Sequence, residues 1–357
     1  MKAMVLRKPA PVENRPLLFE NVPEPVPGPG EARIKVRFCG VCRTDLHIVE
    51  GDLPPVRLPL VPGHQIVGIV DALGDEGGAG TEEQVRDGNR GEFPVRTPDE
   101  ASDGVKVGDR VGLPWVGGAC GHCSFCLNGQ ENLCQKIRFT GYSCDGGYAE
   151  YVVARKDFVV KLPPGFADLD AAPLLCAGII GYRSLKVAGV RPGDTVGLFG
   201  FGASAHLAIQ VARYWGCDVL VFTRSEAHQN LARALGASWA GKAEDGPADS
   251  CDAAVSFAPA GSLIPLALKT LKRGGCLAVN AVHLDEVPAF DYSLLYWEKS
   301  LKSVANATRE DAREFMRLAA QIPLKVSTEV FPLEAANEAL LRLKKGQVQG
   351  EAVLDIA

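Results

Sequence analysis

Between residues 120 and 134 the chain reads Cys120-Gly-His-Cys123-Ser-Phe-Cys126-Leu-Asn-Gly-Gln-Glu-Asn-Leu-Cys134, four cysteines in fifteen positions with two-residue gaps and then a seven-residue gap. A tetrahedral zinc ion takes four thiolates at about 2.3 Å, and Cys-x-x-Cys turns beside glycine let one loop wrap its own sulfurs around one ion. A disulfide framework or scattered buried thiols are the competing readings. Neither suits this spacing in a chain that opens without a secretion signal. Four protein ligands would leave no open position for a substrate. The segment is therefore expected to hold structure, and the chemistry to lie elsewhere.

At 357 residues the chain exceeds what one core usually serves, so two domains are expected. It is 46% hydrophobic and 23% charged, as a globular enzyme would be, and has no apolar run long enough for a bilayer. Residues 1–7 read as a first strand, and the protein is expected in the cytoplasm. A net charge of -5 without a basic block argues against nucleic acid as the main partner. Eleven cysteines in a reducing compartment suggest metal ligation for some and burial for the rest.

Residues 1–73 alternate apolar and polar positions between Pro and Gly punctuation, with strands expected at 32–38 and 66–72. Between them lie Gly40-Val-Cys42-Arg43-Thr44-Asp45-Leu-His47 and Gly63-His64-Gln65. A Cys, a His and polar side chains at strand and loop ends are what an open zinc site needs. Taken singly, Cys42 could be core filler and His64 a hydrogen-bonded turn residue. Residues 74–104 are Gly-rich, acidic and aperiodic, which reads as a solvated surface loop, with a lid or subunit contact as the alternative. The pattern resumes at 105–111, a turn into a strand; Trp115 follows, and 146–153 reads as another strand.

The apolar stretch from Ala171 opens a helix and is expected to bury Cys176 in a dry environment. Next, Gly200-Phe-Gly202-Ala203-Ser204-Ala205 stands between a strand and a helix. The first glycine makes a tight turn, the second lets backbone approach a pyrophosphate, and the small third residue permits close helix packing, with the helix N-terminus attracting the anion. Strands at 218–223, 252–257, 275–279 and 301–304 alternate with helices at 226–235 and 263–271, the mark of a doubly wound parallel α/β sheet. Two helices, 310–320 and 333–344, and a strand at 351–355 are expected to return to the first domain. That divides the chain into 1–176 with 310–357, and 177–309.

An NAD site usually places a carboxylate about 20 residues beyond the glycines, on the adenosine ribose hydroxyls. Here that position reads Thr223-Arg224-Ser225. Arg224 offers a charged fork suited to a 2′-phosphate, with two hydroxyls beside it. NADP(H) is thus expected over NAD(H), unless Arg224 merely stacks on adenine or faces water.

In this order, the knuckle, Cys42-Arg-Thr-Asp-Leu-His47 with Gly51-Asp-Leu-Pro, Leu58-Pro-Leu-Val-Pro-Gly-His64 and the dinucleotide turn resemble the medium-chain zinc-dependent alcohol dehydrogenase family, its yeast-type and cinnamyl-type branches above all. The resemblance covers nearly the whole chain. It implies a GroES-like β-rich catalytic domain beside a Rossmann cofactor domain. It implies that Cys42, His64 and Cys176 hold a catalytic zinc, and Cys120, Cys123, Cys126 and Cys134 a structural one. By the same match Thr44 takes the alcohol's proton and passes it through the cofactor ribose toward His47, Asp45 supports His64, and Arg43 meets the pyrophosphate. Leu53 and Trp115 match pocket-lining positions, Leu53 standing where the yeast enzyme has a tryptophan. One departure is Gln65, where the family usually has a Glu that sits near the catalytic zinc.

The activity expected is hydride transfer between a nicotinamide cofactor and a primary alcohol or aldehyde. The alternatives are a polyol or sugar dehydrogenase of the same superfamily and a zinc-binding redox sensor without turnover. The remaining thiols, Cys39, Cys144, Cys217, Cys251 and Cys276, read as buried fillers. A homodimer or homotetramer through the cofactor domain is expected, with residues 274–282 near the contact.

Overall fold

The computed structural model describes residues 1–74, 104–348 and 350–356. The segment expected as an acidic surface loop falls outside them, apart from its two end glycines.

The first half is built around the strand Glu31–Val41, which alternates buried and open positions and then ends in three buried residues, Cys39, Gly40 and Val41. Antiparallel partners flank it: Gln65–Leu73 along one side, Tyr151–Arg155 at its start and Glu351–Asp355 at its end on the other. Thr328–Pro332, Arg110–Leu113 and Val160–Lys161 complete a seven-stranded sheet. Pairing begins later than the apolar pattern suggested in one place: the strand expected at 146–153 starts at Tyr151 because Gly146, Gly147 and Tyr148 spend their amides on Val61, Gly63 and Pro62. The turn into a strand expected at 105–111 is a turn closed by Asp109, leading into Arg110–Leu113.

In the second half six parallel strands run in the order Trp239–Gly241, Asp218–Phe222, Thr195–Phe199, Cys251–Ser256, Leu271–Val279 and Ser300–Ser303. In chain order that is 3-2-1-4-5-6, a Rossmann sheet whose crevice opens where the order reverses, beyond Phe199 and Ser256. The central strands are apolar on both faces because the helices Ala177–Ala188, Ala203–Tyr214, Glu226–Ala234 and Leu263–Thr270 pack over them. Trp239–Gly241 and Thr328–Pro332 were not expected. The first is too short to show a period.

After residue 308 the chain divides its contacts. The helix Arg309–Ala319 starts on a capping box of Thr308 and Asp311 and buries Ala312, Phe315 and Met316 with Ile179, Tyr182 and Leu185 of the helix Ala177–Ala188. The helix expected at 333–344 is a 3-10 turn, Leu333–Ala335, followed by Ala336–Lys344, which packs beside the helix Arg43–Glu50. Val67, Val160 and Val353 of the first sheet share one apolar cluster with Leu198 and Val221 of the second. A common core thus joins the two sheets.

Candidate metal centre and cofactor crevice

Cys42 ends the central strand and starts a helix. Its Sγ accepts from the Thr44 amide at 3.3 Å, and its own amide donates to Asp45 Oδ2 at 2.9 Å, a capping box that fixes the sulfur's direction. His64 opens the neighbouring strand and Cys176 precedes the helix Ala177–Ala188. Three distant segments thus converge. The ligand atoms of Cys42, His64 and Cys176 lie within 4.8 Å of one another.

Asp45 holds this cluster together from behind. Wholly buried, it pairs through Oδ1 with His64 Nδ1 at 3.0 Å and accepts from the Gly63 amide at 3.2 Å. That leaves Nε2 of His64 for a metal. Burial alone would lower the imidazole's proton affinity, but the charges of Asp45 and Cys42 outweigh it and take it up to about 10. The Cys176 thiol, donating to Cys42, keeps Cys42 well below the usual thiol range, and Cys176 rises well above it for the same reason. Two sulfurs and one imidazole nitrogen held this close suit zinc and leave one position open. Cys176, half-buried by surface area, stands where the turn Pro173–Leu175 gives way to the helix, and desolvation adds to the rise of its thiol.

The four knuckle sulfurs also converge. Cys123 and Cys126 lie 3.5 Å apart and Cys120 and Cys126 3.9 Å apart. Tetrahedral bonds of about 2.3 Å require roughly 3.8 Å. The donors therefore fit one zinc. Of the other five cysteines, Cys39, Cys217, Cys251 and Cys276 are buried, while Cys144 is half-buried and donates to the Phe139 carbonyl. None of the eleven is paired in a disulfide.

Beside His64 stands a group of aromatic rings. Trp115 meets His64 edge to face at 4.9 Å and stacks on Phe139 at 4.7 Å, with Tyr142 at 6.0 Å. Trp115 Nε1 donates to Asn306 Oδ1, just past the last Rossmann strand, so this group reaches the Rossmann half. Leu53 is half-buried beside Tyr142, whose hydroxyl bonds the Pro54 carbonyl. Thr44 lies in the first turn of the helix that Cys42 caps, and His47, one turn on, pairs through Nδ1 with Asp52 Oδ2 at 2.9 Å. Arg43 stands exposed in the first turn.

In the crevice, Gly200 has φ +84°, and a Cβ there would stand 2.9 Å from Ala258, so only glycine fits. Gly202 has open space around it and Ala203 is exposed at the helix start, while Ser204 and Ala205 turn inward. No carboxylate follows Phe222. Thr223 bonds through its backbone, Ser225 Oγ caps the next helix by accepting from the His228 amide at 3.3 Å, and Arg224 is exposed.

Sequence reasoning missed Asp52, Phe139, Tyr142, Asn306 and Glu351. Only the last carried a local signal, a carboxylate opening an otherwise apolar strand, Glu-Ala-Val-Leu. Glu351 Oε1 is buried without a hydrogen-bond partner, and burial, then the nearby Cys42 sulfur, push its carboxyl up to about 8.

Residues 28–164 match the family model described as alcohol dehydrogenase GroES-like domain, and residues 205–321 the one described as zinc-binding dehydrogenase. The chain is 43% identical to "Probable alcohol dehydrogenase AdhA" of Mycobacterium tuberculosis, over 99% of this chain and 97% of that protein. It is 37% identical to an alcohol dehydrogenase of Geobacillus stearothermophilus, over the full length of both. Among solved structures, a cinnamyl alcohol dehydrogenase of Sorghum bicolor superposes with a TM-score of 0.83 at 26% identity, covering 99% of this chain and 97% of that one.

Proposed function

We propose that this chain, which belongs to the medium-chain zinc-dependent alcohol dehydrogenase family and is an oxidoreductase acting on alcohols, transfers hydride between NADP(H) and an apolar primary alcohol or aldehyde. The observation that carries this reading is the convergence of Cys42, His64 and Cys176 beside an aromatic wall that reaches the Rossmann half. These three residues would hold one zinc and the knuckle a second.

When bound, zinc supplies Lewis acidity that makes an alcohol hydroxyl acidic near neutral pH. The residues around it do the rest. Asp45 keeps His64 in the tautomer whose Nε2 is free. Thr44 Oγ would take the substrate proton, and His47, whose Nδ1 is held by Asp52, would exchange a proton with solvent through Nε2. Gly200 and Gly202 let the pyrophosphate reach the start of the helix Ala203–Tyr214, with Arg43 as its counter-charge. Arg224, exposed where NAD-binding sites carry a carboxylate, favours a 2′-phosphate. Trp115, Phe139, Tyr142 and Leu53 exclude water and favour an apolar alcohol over a polyol. Free thiols throughout support a cytoplasmic setting, and the exposed Rossmann edge strand Ser300–Ser303 supports a homodimer or homotetramer.

A spectrophotometric panel of primary, secondary, aromatic and polyhydric alcohols and their carbonyl partners, run with both cofactors, tests the reading. Fastest turnover is expected for an apolar primary pair with NADP(H). A clear preference for NAD(H) or for polyols would overturn those parts, and no turnover would leave the zinc-binding sensor.

A further inference from the structure

Three strands lie side by side at the metal centre: Gln65–Leu73, Glu31–Val41 and Glu351–Asp355, with Glu31–Val41 in the middle. Gly40 faces Gln65 on one side and Val353 on the other, and Val41 faces Ala352. Carried one residue further, this antiparallel register would set Glu351 opposite Cys42, and directly opposite residues share a face of the sheet. Its charge accordingly bears on both Cys42 and Cys176. The backbone fixes it there. Gly350, at φ +87°, would place a Cβ 2.1 Å from the Ser327 carbonyl, and the Glu351 amide donates to that same oxygen at 2.8 Å.

What the carboxyl meets is unusual. Oε1 is buried, and among the described residues no hydrogen-bond donor reaches it. The nearby sulfurs offer it nothing as thiolates but repulsion. Gln65, on the other flank of the same strand, likewise has its Oε1 buried without a partner, lying over the Gly40 backbone. Buried oxygens are normally satisfied, and a carboxylate left alone is strongly destabilising. Asp45, the other carboxylate bearing on Cys176, cannot serve a cation, because its oxygens are spent on His64, Gly63 and Cys42. Gln65 has no charge to offer. Glu351 is thus an unsatisfied buried carboxyl near an incompletely ligated cluster; it stands outside the 4.8 Å that gathers the three donors, and a cation held there would satisfy it once the side chain turns in.

We propose that Glu351 is a fourth protein ligand of the metal held by Cys42, His64 and Cys176, its carboxylate filling the open position until an alcohol displaces it. This rests on the assignment of zinc to that site made above. It predicts a closed, metal-retaining centre in the substrate-free protein, with the anionic ligand supplied from the last strand.

The test compares metal release to a chromogenic chelator from unmutated holoenzyme and Glu351→Gln, together with a crystal structure of unmutated holoenzyme without cofactor. Of the two metals per subunit, one should leave Glu351→Gln at least about tenfold faster, as for loss of a group that supports a metal site, while the other leaves at its original rate. In the crystal a Glu351 oxygen should lie about 2.2 Å from the ion. Unchanged release in a folded variant, or a carboxylate outside bonding distance of the ion, would overturn the proposal; if Glu351→Gln does not fold, the crystal structure alone decides. A single metal per loaded subunit would instead overturn the underlying zinc assignment, so the two failures are distinguishable.

Discussion

Asp45 shows how much of the centre one side chain can carry. Its carboxylate accepts from the Gly63 and Cys42 amides while orienting His64, so the strand end, the turn before His64 and the ligand itself depend on it. Asp45→Asn keeps the shape but loses the charge and one acceptor. It should weaken binding at this site by about 10–100-fold, as measured by chelator competition, with the knuckle metal unaffected; equal affinity would refute the role. Arg224 is exposed and separable from the fold. Arg224→Ala should raise the KM for NADPH about tenfold, the loss of one charge-assisted contact, with little change for NADH. Equal effects on both cofactors would mean that the guanidinium does not read the 2′-phosphate. Both residues stood out in the sequence because each sits at a fixed offset within a motif. Trp115's partners Phe139, Tyr142 and Asn306 did not, because ring stacking and a hydrogen bond to a distant segment leave no period in the chain.

Among the elements, the knuckle is tied to the helix Arg309–Ala319 more firmly than its loop-like sequence suggests. Glu131, buried in the turn Glu131–Leu133, accepts from the Arg309 amide at 2.8 Å and from its Nε at 3.2 Å, while Arg309 NH1 reaches Asp157 at 3.1 Å. The guanidinium also lies 4.8 Å from the Phe158 ring centre. Removing the side chain leaves the buried Glu131 carboxylate with the residue-309 amide as its donor and no counter-charge. Arg309→Ala should therefore cost about 1–3 kcal/mol, read as a lower denaturant midpoint, whereas Arg309→Lys should recover part of it. A variant as stable as the parent would show the link to be dispensable. None of this was legible beforehand, since Glu131 and Arg309 are 178 residues apart. The regular elements were legible, because long apolar strands and amphipathic helices write their period locally.

For the whole molecule, two sheets share one apolar cluster, and the metal centre lies at the end of the sheet facing the Rossmann crevice. The Rossmann sheet ends in an open edge, Ser300–Ser303, with Leu301 41% exposed and Tyr292, Tyr296 and Trp297 also exposed. Open apolar edges invite pairing with a second copy. Light scattering should find a dimer or tetramer, and Leu301→Lys should shift it toward smaller species without changing metal content; an unaffected parent-sized assembly would place the contact elsewhere. By itself the sequence determined the family, the cysteines and histidine that the fold gathers into two clusters, and the alternation of the Rossmann units, because residue spacing, glycine turns and apolar periods are properties of short segments. Only the tertiary structure decided what surrounds them: the aromatic wall, the Glu131–Arg309 tie and the unpartnered Glu351. Contacts between residues far apart in the chain are made by packing and strand register, and no local pattern encodes them.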